Sequence, residues 1–179
     1  MNKILAFVSF LTIGTFSYAQ ANFAPEEIRI GALKHDVKSG LKHAYEKGYD
    51  VNAELLWATP KNQFFQFIFS PRPHVGISLN TKKGTHQLYF GVTWRYDFLR
   101  HLFAELIIGG GFNTGNLHKR TKHKKALGSH IMFHEGVSLG VQFAPKHSLS
   151  LFFDHTSNAS LARINTGLTG FGLRYGYQF

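Results

Sequence analysis

From about residue 22 to the C-terminus, the chain switches between apolar and polar at every second position. The longest run sets Leu88, Phe90, Val92, Trp94, Tyr96 and Phe98 against Gln87, Tyr89, Gly91, Thr93, Arg95 and Asp97. Successive side chains of a strand point to opposite faces, so this alternation predicts strands with one apolar and one polar side. The split recurs with Val51, Ala53, Leu55 and Trp57 against Asn52 and Glu54, and with Val75, Ile77 and Leu79 against His74, Gly76, Ser78 and Asn80. It recurs again over 102–113, 131–143 and 171–179. With a first strand near 28–34 and another over 148–157, eight strands are predicted.

Two all-β architectures alternate in this way. A soluble sandwich buries one face of each sheet, and a transmembrane barrel turns its apolar face to lipid. Glycine and charge recur on the polar face here, with Arg95, Glu105 and Arg174 placed to pair around a narrow lumen. The chain also closes on Phe179 at the end of an aromatic-rich strand, an ending that resembles the C-terminal signal of bacterial outer-membrane barrels. These features favour an all-β, eight-stranded antiparallel transmembrane barrel of the outer-membrane type, the smallest kind, whose lumen leaves little room for a pore. With both termini on the periplasmic side, connections near 34–50, 80–86, 114–130 and 158–169 face outward, and those near 99–101 and 144–148 are tight periplasmic turns. Segment 59–73 is long for such a turn and contains Phe64, Phe65, Phe67 and Phe69, which fits either a strand extension or an interfacial segment.

The first 21 residues read as a leader. Lys3 precedes the apolar run Ile4–Ile13, and Ala19-Gln20-Ala21 is a small-x-small cleavage site. Cleavage is expected after Ala21 (after Ala19 is the nearby alternative), leaving a single barrel domain over 22–179. The apolar run is short of the ~20 residues that span a bilayer as a helix. No cysteine is present, so an exported fold must be held by its sheet rather than by disulfides. The full chain carries 20 Lys and Arg against 10 acids, a formal charge of +10. Five cations crowd together as Lys119, Arg120, Lys122, Lys124 and Lys125. Such a run commonly marks nucleic-acid binding, but on an exported barrel the expected partner is an anionic lipid head group, with no nucleic acid involved.

The chemistry sits at the end of the seventh predicted strand. His155 and Ser157 share the face of Leu149, Leu151 and Phe153. A basic imidazole beside a hydroxyl is the minimum apparatus for nucleophilic ester cleavage, and an apolar setting points to a lipid substrate. The bland alternative is two polar residues where a strand leaves the membrane. Asp154 points the other way, and no third ligand accompanies it with His155, so a metal site is not expected.

His155-Thr156-Ser157-Asn158-Ala159 followed by Asn165-x-Gly167 resembles the outer-membrane lipid A 3-O-deacylases of the PagL type. Pro71–Gly76, Phe103–Gly111 and the last strand, Gly172–Phe179, resemble that family as well. The resemblance implies an outer-membrane serine esterase acting on lipid A of lipopolysaccharide, with no cofactor. Ser157 would be the nucleophile, His155 its base, and Asn158 with the region of Asn165 the oxyanion donors. The family's acid falls twelve residues after the nucleophile, and Thr169 stands there. Glu135, the lone charge in an apolar series, is the substitute candidate. A turn pairing Ala144 with Ser148 would set Glu135 across from Ser157 and diagonal to His155. The competing readings are a catalytically impaired barrel that binds lipopolysaccharide or serves as a surface adhesin, and an enzyme that passes the acyl chain to another acceptor. The sequence is compatible with a monomer or a homodimer.

Overall fold

The computed structural model describes residues 24–37 and 45–179; the leader expected over 1–21 lies outside them. Eight antiparallel strands follow one another around a closed barrel: β1 (Glu27–Lys34), β2 (Tyr49–Leu56), β3 (Arg72–Asn80), β4 (Gln87–Phe98), β5 (Leu102–Asn113), β6 (Ile131–Ala144), β7 (His147–Ser157) and β8 (Leu168–Gln178). β1 pairs with β8, Arg29 opposite Gly176, and leaves no free edge. The apolar series all face outward and remain exposed, as on Leu106, Ile108, Val137, Leu139, Leu151 and Leu173. No helix among the described residues is long and apolar enough to cross a membrane, so the crossing falls to the strands.

The segment after β2 forms a short helix, α1 (Gln63–Phe67), capped by Asn62. The Trp94 indole N–H donates to the Ile68 carbonyl at 2.7 Å. Trp94 belongs to the outward series of β4, so this segment folds back against the lipid-facing wall instead of extending a strand. Its rings Phe64, Phe67 and Phe69 are exposed.

Inside, the lumen is filled. Tyr89, Phe103 and Phe152 are buried there, and glycines opposite make room for them: a Cβ on Gly140 would stand within the Phe103 ring. The charged residues form one network. Arg29 donates to Glu27 at 2.7 Å, to Glu105 at 2.6 and 2.9 Å, and to Glu54 at 3.3 Å. Arg174 donates to Glu54 at 3.2 Å and to Ser138 at 2.8 Å, with its guanidinium 3.5 Å from the Phe152 ring centre. Arg72 completes it at Glu27. Arg95 departs from the expected pairing: although Glu105 is its register partner, it bonds Asp97 and Gln142 and stacks on Phe103. Arg29, reaching across the lumen from β1, takes Glu105 instead.

At the rim that carries the long loops, a second network ties loop to loop. Lys125 is buried. Its ammonium pairs with Asp36 at 2.5 Å and donates to the Gly167 carbonyl at 3.1 Å. Asp36 also accepts the main-chain N–H groups of Tyr45 and Glu46. Glu46 accepts from the Lys125 and Thr85 main chain and from the Thr85 hydroxyl. His35 bridges Asp50 at 2.8 Å and Glu46 at 3.0 Å. Burial alone would lower the His35 pKa, but the two carboxylates outweigh it and raise the value to about 9. Burial pushes the Glu46 carboxyl up, and the bonds from His35, Lys125 and Thr85 more than reverse that.

Two outcomes are expected. Glu54→Gln leaves buried guanidinium charge uncompensated and should cost roughly 3 kcal/mol, read from urea unfolding of the barrel in lipid vesicles. The rim network should show a pH window. The His35 contribution is complete below 6.5 and is lost as pH rises through about 9. The Glu46 contribution is complete above 4.5 and is lost as pH falls below that. Amide exchange at Tyr45, Glu46, Thr85 and Lys125, corrected for intrinsic rate, should therefore be slowest at about pH 6 and accelerate above about pH 9.

Candidate active site

β7 carries Leu149, Leu151 and Phe153 outward, and the same parity sets His155 and Ser157 on the lipid side, both half-buried, at the end nearest the long loops. Their backbone positions are about 7 Å apart along the strand. Asp154 and Thr156 point inward and are buried. Asp154 meets His134 at 3.1 Å, well away from the outward pair.

Each side of His155 is set by a neighbouring strand. On β8 its register partner is Thr169, whose Oγ1 lies 2.8 Å from His155 Nδ1. The position where a family acid is expected therefore touches the imidazole, but through a neutral hydroxyl. On β6 the register partner is Glu135. This corrects the expected pairing, which set Glu135 across from Ser157; Phe133 stands there. The turn is tighter than expected, pairing Ala144 with His147 around Pro145 and Lys146, and a bulge between Gln142 and Ala144 shifts the register again. The two changes bring Glu135 directly beside His155 on the outward face.

Beyond the ring, Gly167 adopts a left-handed φ of 63°. A Cβ there would come within 2.8 Å of His155 Cε1 and 3.1 Å of Nε2. The main chain thus closes over the imidazole because residue 167 has no side chain. In the tautomer with its proton on Nδ1, His155 is held by Thr169 and keeps the Nε2 lone pair for a proton acceptor's role. This arrangement can accept a proton from a neighbouring hydroxyl. Thr169 does not offer a negative charge to the imidazolium that results.

Asn158 has a different task from the one expected of it. Its amide donates to the Leu127 carbonyl at 2.9 Å and the Ile164 carbonyl at 2.7 Å, and its main-chain N–H donates to Asn165 Oδ1 at 3.2 Å. Both asparagines therefore fasten the loop after β7 to the loop after β5, and these donors are spent. Thr166 adds a bond to the Ala126 carbonyl. Directly after Asn158, Ala159 and Ser160 both take left-handed backbone, at φ 50° and 64°. Non-glycine residues adopt that conformation at a cost of order 1–3 kcal/mol each, and such strain concentrates at functional turns. Among the described residues neither Ala159 N–H nor Ser160 N–H has a protein partner. Sequence reasoning missed this turn, because neither residue type signals left-handed backbone.

The basic loop divides. Lys119, Arg120 and Lys122 are exposed, with Arg120 stacked 4.6 Å from the Tyr45 ring centre. Lys124 donates to the Thr114 carbonyl at 2.6 Å. Lys125, expected to contact head groups, is turned inward to Asp36, where its ammonium supports the Gly167 carbonyl behind His155.

Comparison with known proteins places this geometry. Among solved structures, the outer-membrane enzyme PagL superposes with a TM-score of 0.61 at 22% identity, covering 87% of this chain and all of that one. The N-terminal barrel of Pseudomonas aeruginosa OprF gives 0.56 at 9% identity over 87% of this chain and 98% of that one. Neisserial surface protein A gives 0.54 at 13%, covering 86% and 96%. These likenesses establish the outer-membrane barrel fold. None of the curated proteins compared matches the chain. The family described as lipid A 3-O-deacylase (PagL), by contrast, matches residues 44–178, a span that takes in β2 to β8 and every residue of the site. Over that span the sequence itself, beyond the barrel it shares with unrelated proteins, assigns the chain to the lipid A 3-O-deacylase (PagL) family.

Proposed function

We propose that this protein is an outer-membrane serine esterase that removes the ester-linked 3-O acyl chain of lipid A, with Ser157 as nucleophile and His155 as its general base. The observation that carries the reading is the His155–Ser157 pair on the lipid-facing wall at the loop-bearing rim, with Nδ1 fixed by Thr169. Family membership and the leader read over residues 1–21 support an exported, outer-membrane setting.

His155 Nε2 takes the Ser157 proton as Oγ attacks the acyl carbonyl. The tetrahedral oxyanion is held by main-chain N–H groups of the strained Ala159–Ser160 turn, since the Asn158 amide is engaged elsewhere. Collapse breaks the ester C–O bond, and the imidazolium returns its proton to the leaving sugar oxygen. Water, activated by the same imidazole, then adds to the acyl-serine and releases the free fatty acid. Each step passes through imidazolium, which a carboxylate would stabilise and the Thr169 hydroxyl does not. Glu135, opposite His155 on the same face, supplies the compensating charge from the β6 side. Lys119, Arg120 and Lys122 on the outer rim draw lipid A phosphates toward this face.

The neutral partner at residue 169 favours one second reading, a barrel that binds lipopolysaccharide without cleaving it. The two separate on Ser157→Ala. Mass spectrometry of lipopolysaccharide treated with native protein should show released fatty acid, and Ser157→Ala should release none; silence from the native protein under conditions where a PagL enzyme works would leave only the binder. Thr169→Glu should raise kcat by at least about tenfold, by restoring an anion at Nδ1. Glu135→Gln should lower kcat several-fold in the native background and much less in Thr169→Glu, a non-additivity expected when two acids serve one imidazole.

A further inference from the structure

Ser157, Phe133 and Gly110 stand on one line across three strands, Ser157 opposite Phe133 on β6 and Phe133 opposite Gly110 on β5. The outward positions of β5 on either side of Gly110 carry Ile108 and Phe112, so Gly110 leaves a gap in an otherwise continuous apolar wall. The gap opens into a trough of 460 Å³, lined by Gly110, Ile131, Met132, Phe133, Asn158 and Leu161. This volume falls within the range of small-molecule sites. Gly110 lies about two strand spacings, or roughly 10 Å, from Ser157.

Barrel packing does not explain this glycine. A Cβ on Gly109 or Gly111 would strike the main chain of β4, but one on Gly110 would meet only the Met132 carbonyl, at an ordinary 3.5 Å. A larger residue would fit the backbone, favour the strand and extend the apolar wall. What it would remove is the trough. A second observation points to a ligand: Asn158, 2% exposed and lining the trough, has an Oδ1 with no partner among the described residues. A single acceptor in apolar walls suits a hydrocarbon chain with a hydroxyl near its polar end. The trough is also continuous with the lipid-facing surface, where hydrocarbon is the available occupant.

We propose that this trough holds the acyl chain whose ester reaches Ser157, and that the absent side chain at Gly110 determines how long a chain is accepted. The assignment of that ester bond to Ser157 rests on the esterase reading above; the trough itself does not. Filling the gap with Gly110→Leu should shorten the accepted chain, since one or two methylene groups in an apolar pocket change kcat/KM by about tenfold or more.

Two measurements separate the trough from the chemistry. The first uses Ser157→Ala protein in mixed micelles with a phosphorylated glucosamine lipid that carries a diazirine at the end of its ester-linked acyl chain. Photolysis should label Met132, Phe133 or Leu161, and adding Gly110→Leu should cut that labelling about tenfold. Labelling spread evenly around the lipid-facing wall, unchanged by Gly110→Leu, overturns the proposal. The second measures fatty acids released from substrates of graded chain length, where Gly110→Leu should shift preference about tenfold toward shorter chains. Localised labelling with no acid released by the native protein supports the trough and overturns the esterase reading. Acid released with an unchanged length profile does the reverse. Heat-dependent gel mobility confirms that Gly110→Leu remains a folded barrel.

Discussion

The structure depends on where its charged side chains are allowed to be. A barrel of eight strands in hydrocarbon has one place for ionised groups between its two rims, the lumen. Glu27, Glu54 and Glu105 meet Arg29, Arg72 and Arg174 there, and Arg29 spans from β1 to Glu105 on the far wall. Buried ion pairs contribute little net stability, since desolvation offsets most of the attraction. Their effect here is on register. A one-residue slip of any strand would carry its arginine or glutamate to the lipid face and leave the partner unpaired inside. The polar interior thus fixes the outward face, and with it the positions of His155, Ser157 and Glu135.

The outer rim converts that fixed wall into a site. The loops after β5 and β7 would otherwise be free to move independently, and Asn158, Thr166 and Lys125 join them. Lys125 is held from below by Asp36, whose loop is tied in turn to His35, Glu46 and Thr85. The consequence at the site is the course of residue 167, which passes close over the imidazole. Charges that read as a solvated, head-group-seeking cluster are therefore divided between exposed cations and one buried strut.

The imidazole itself records a substitution in chemistry without a loss of geometry. Thr169 keeps the contact that orients the ring and sets its tautomer, at 2.8 Å, but contributes no charge. Orientation and charge stabilisation are separate parts of a triad acid's work. In this chain they fall to different strands, with Thr169 on β8 and the carboxylate of Glu135 on β6.

The sequence alone determined the barrel, its eight strands, which face of each meets lipid, and the shared face of His155 and Ser157. All of these follow from a period of two, which local residue order fixes. It also contained the family motifs. Register and loop contacts were decided only in three dimensions. Glu135 sits beside His155 because a tight turn and a bulge moved β6 against β7, and a bulge leaves no mark in alternation. Arg95 lost Glu105 to Arg29 because the competitor lies across the lumen, distant in sequence. Lys125 turned inward, and Asn158 became a loop fastener, because their partners come from other loops. Residue type and spacing set what each side chain can do, and the closed barrel selects which partner it meets.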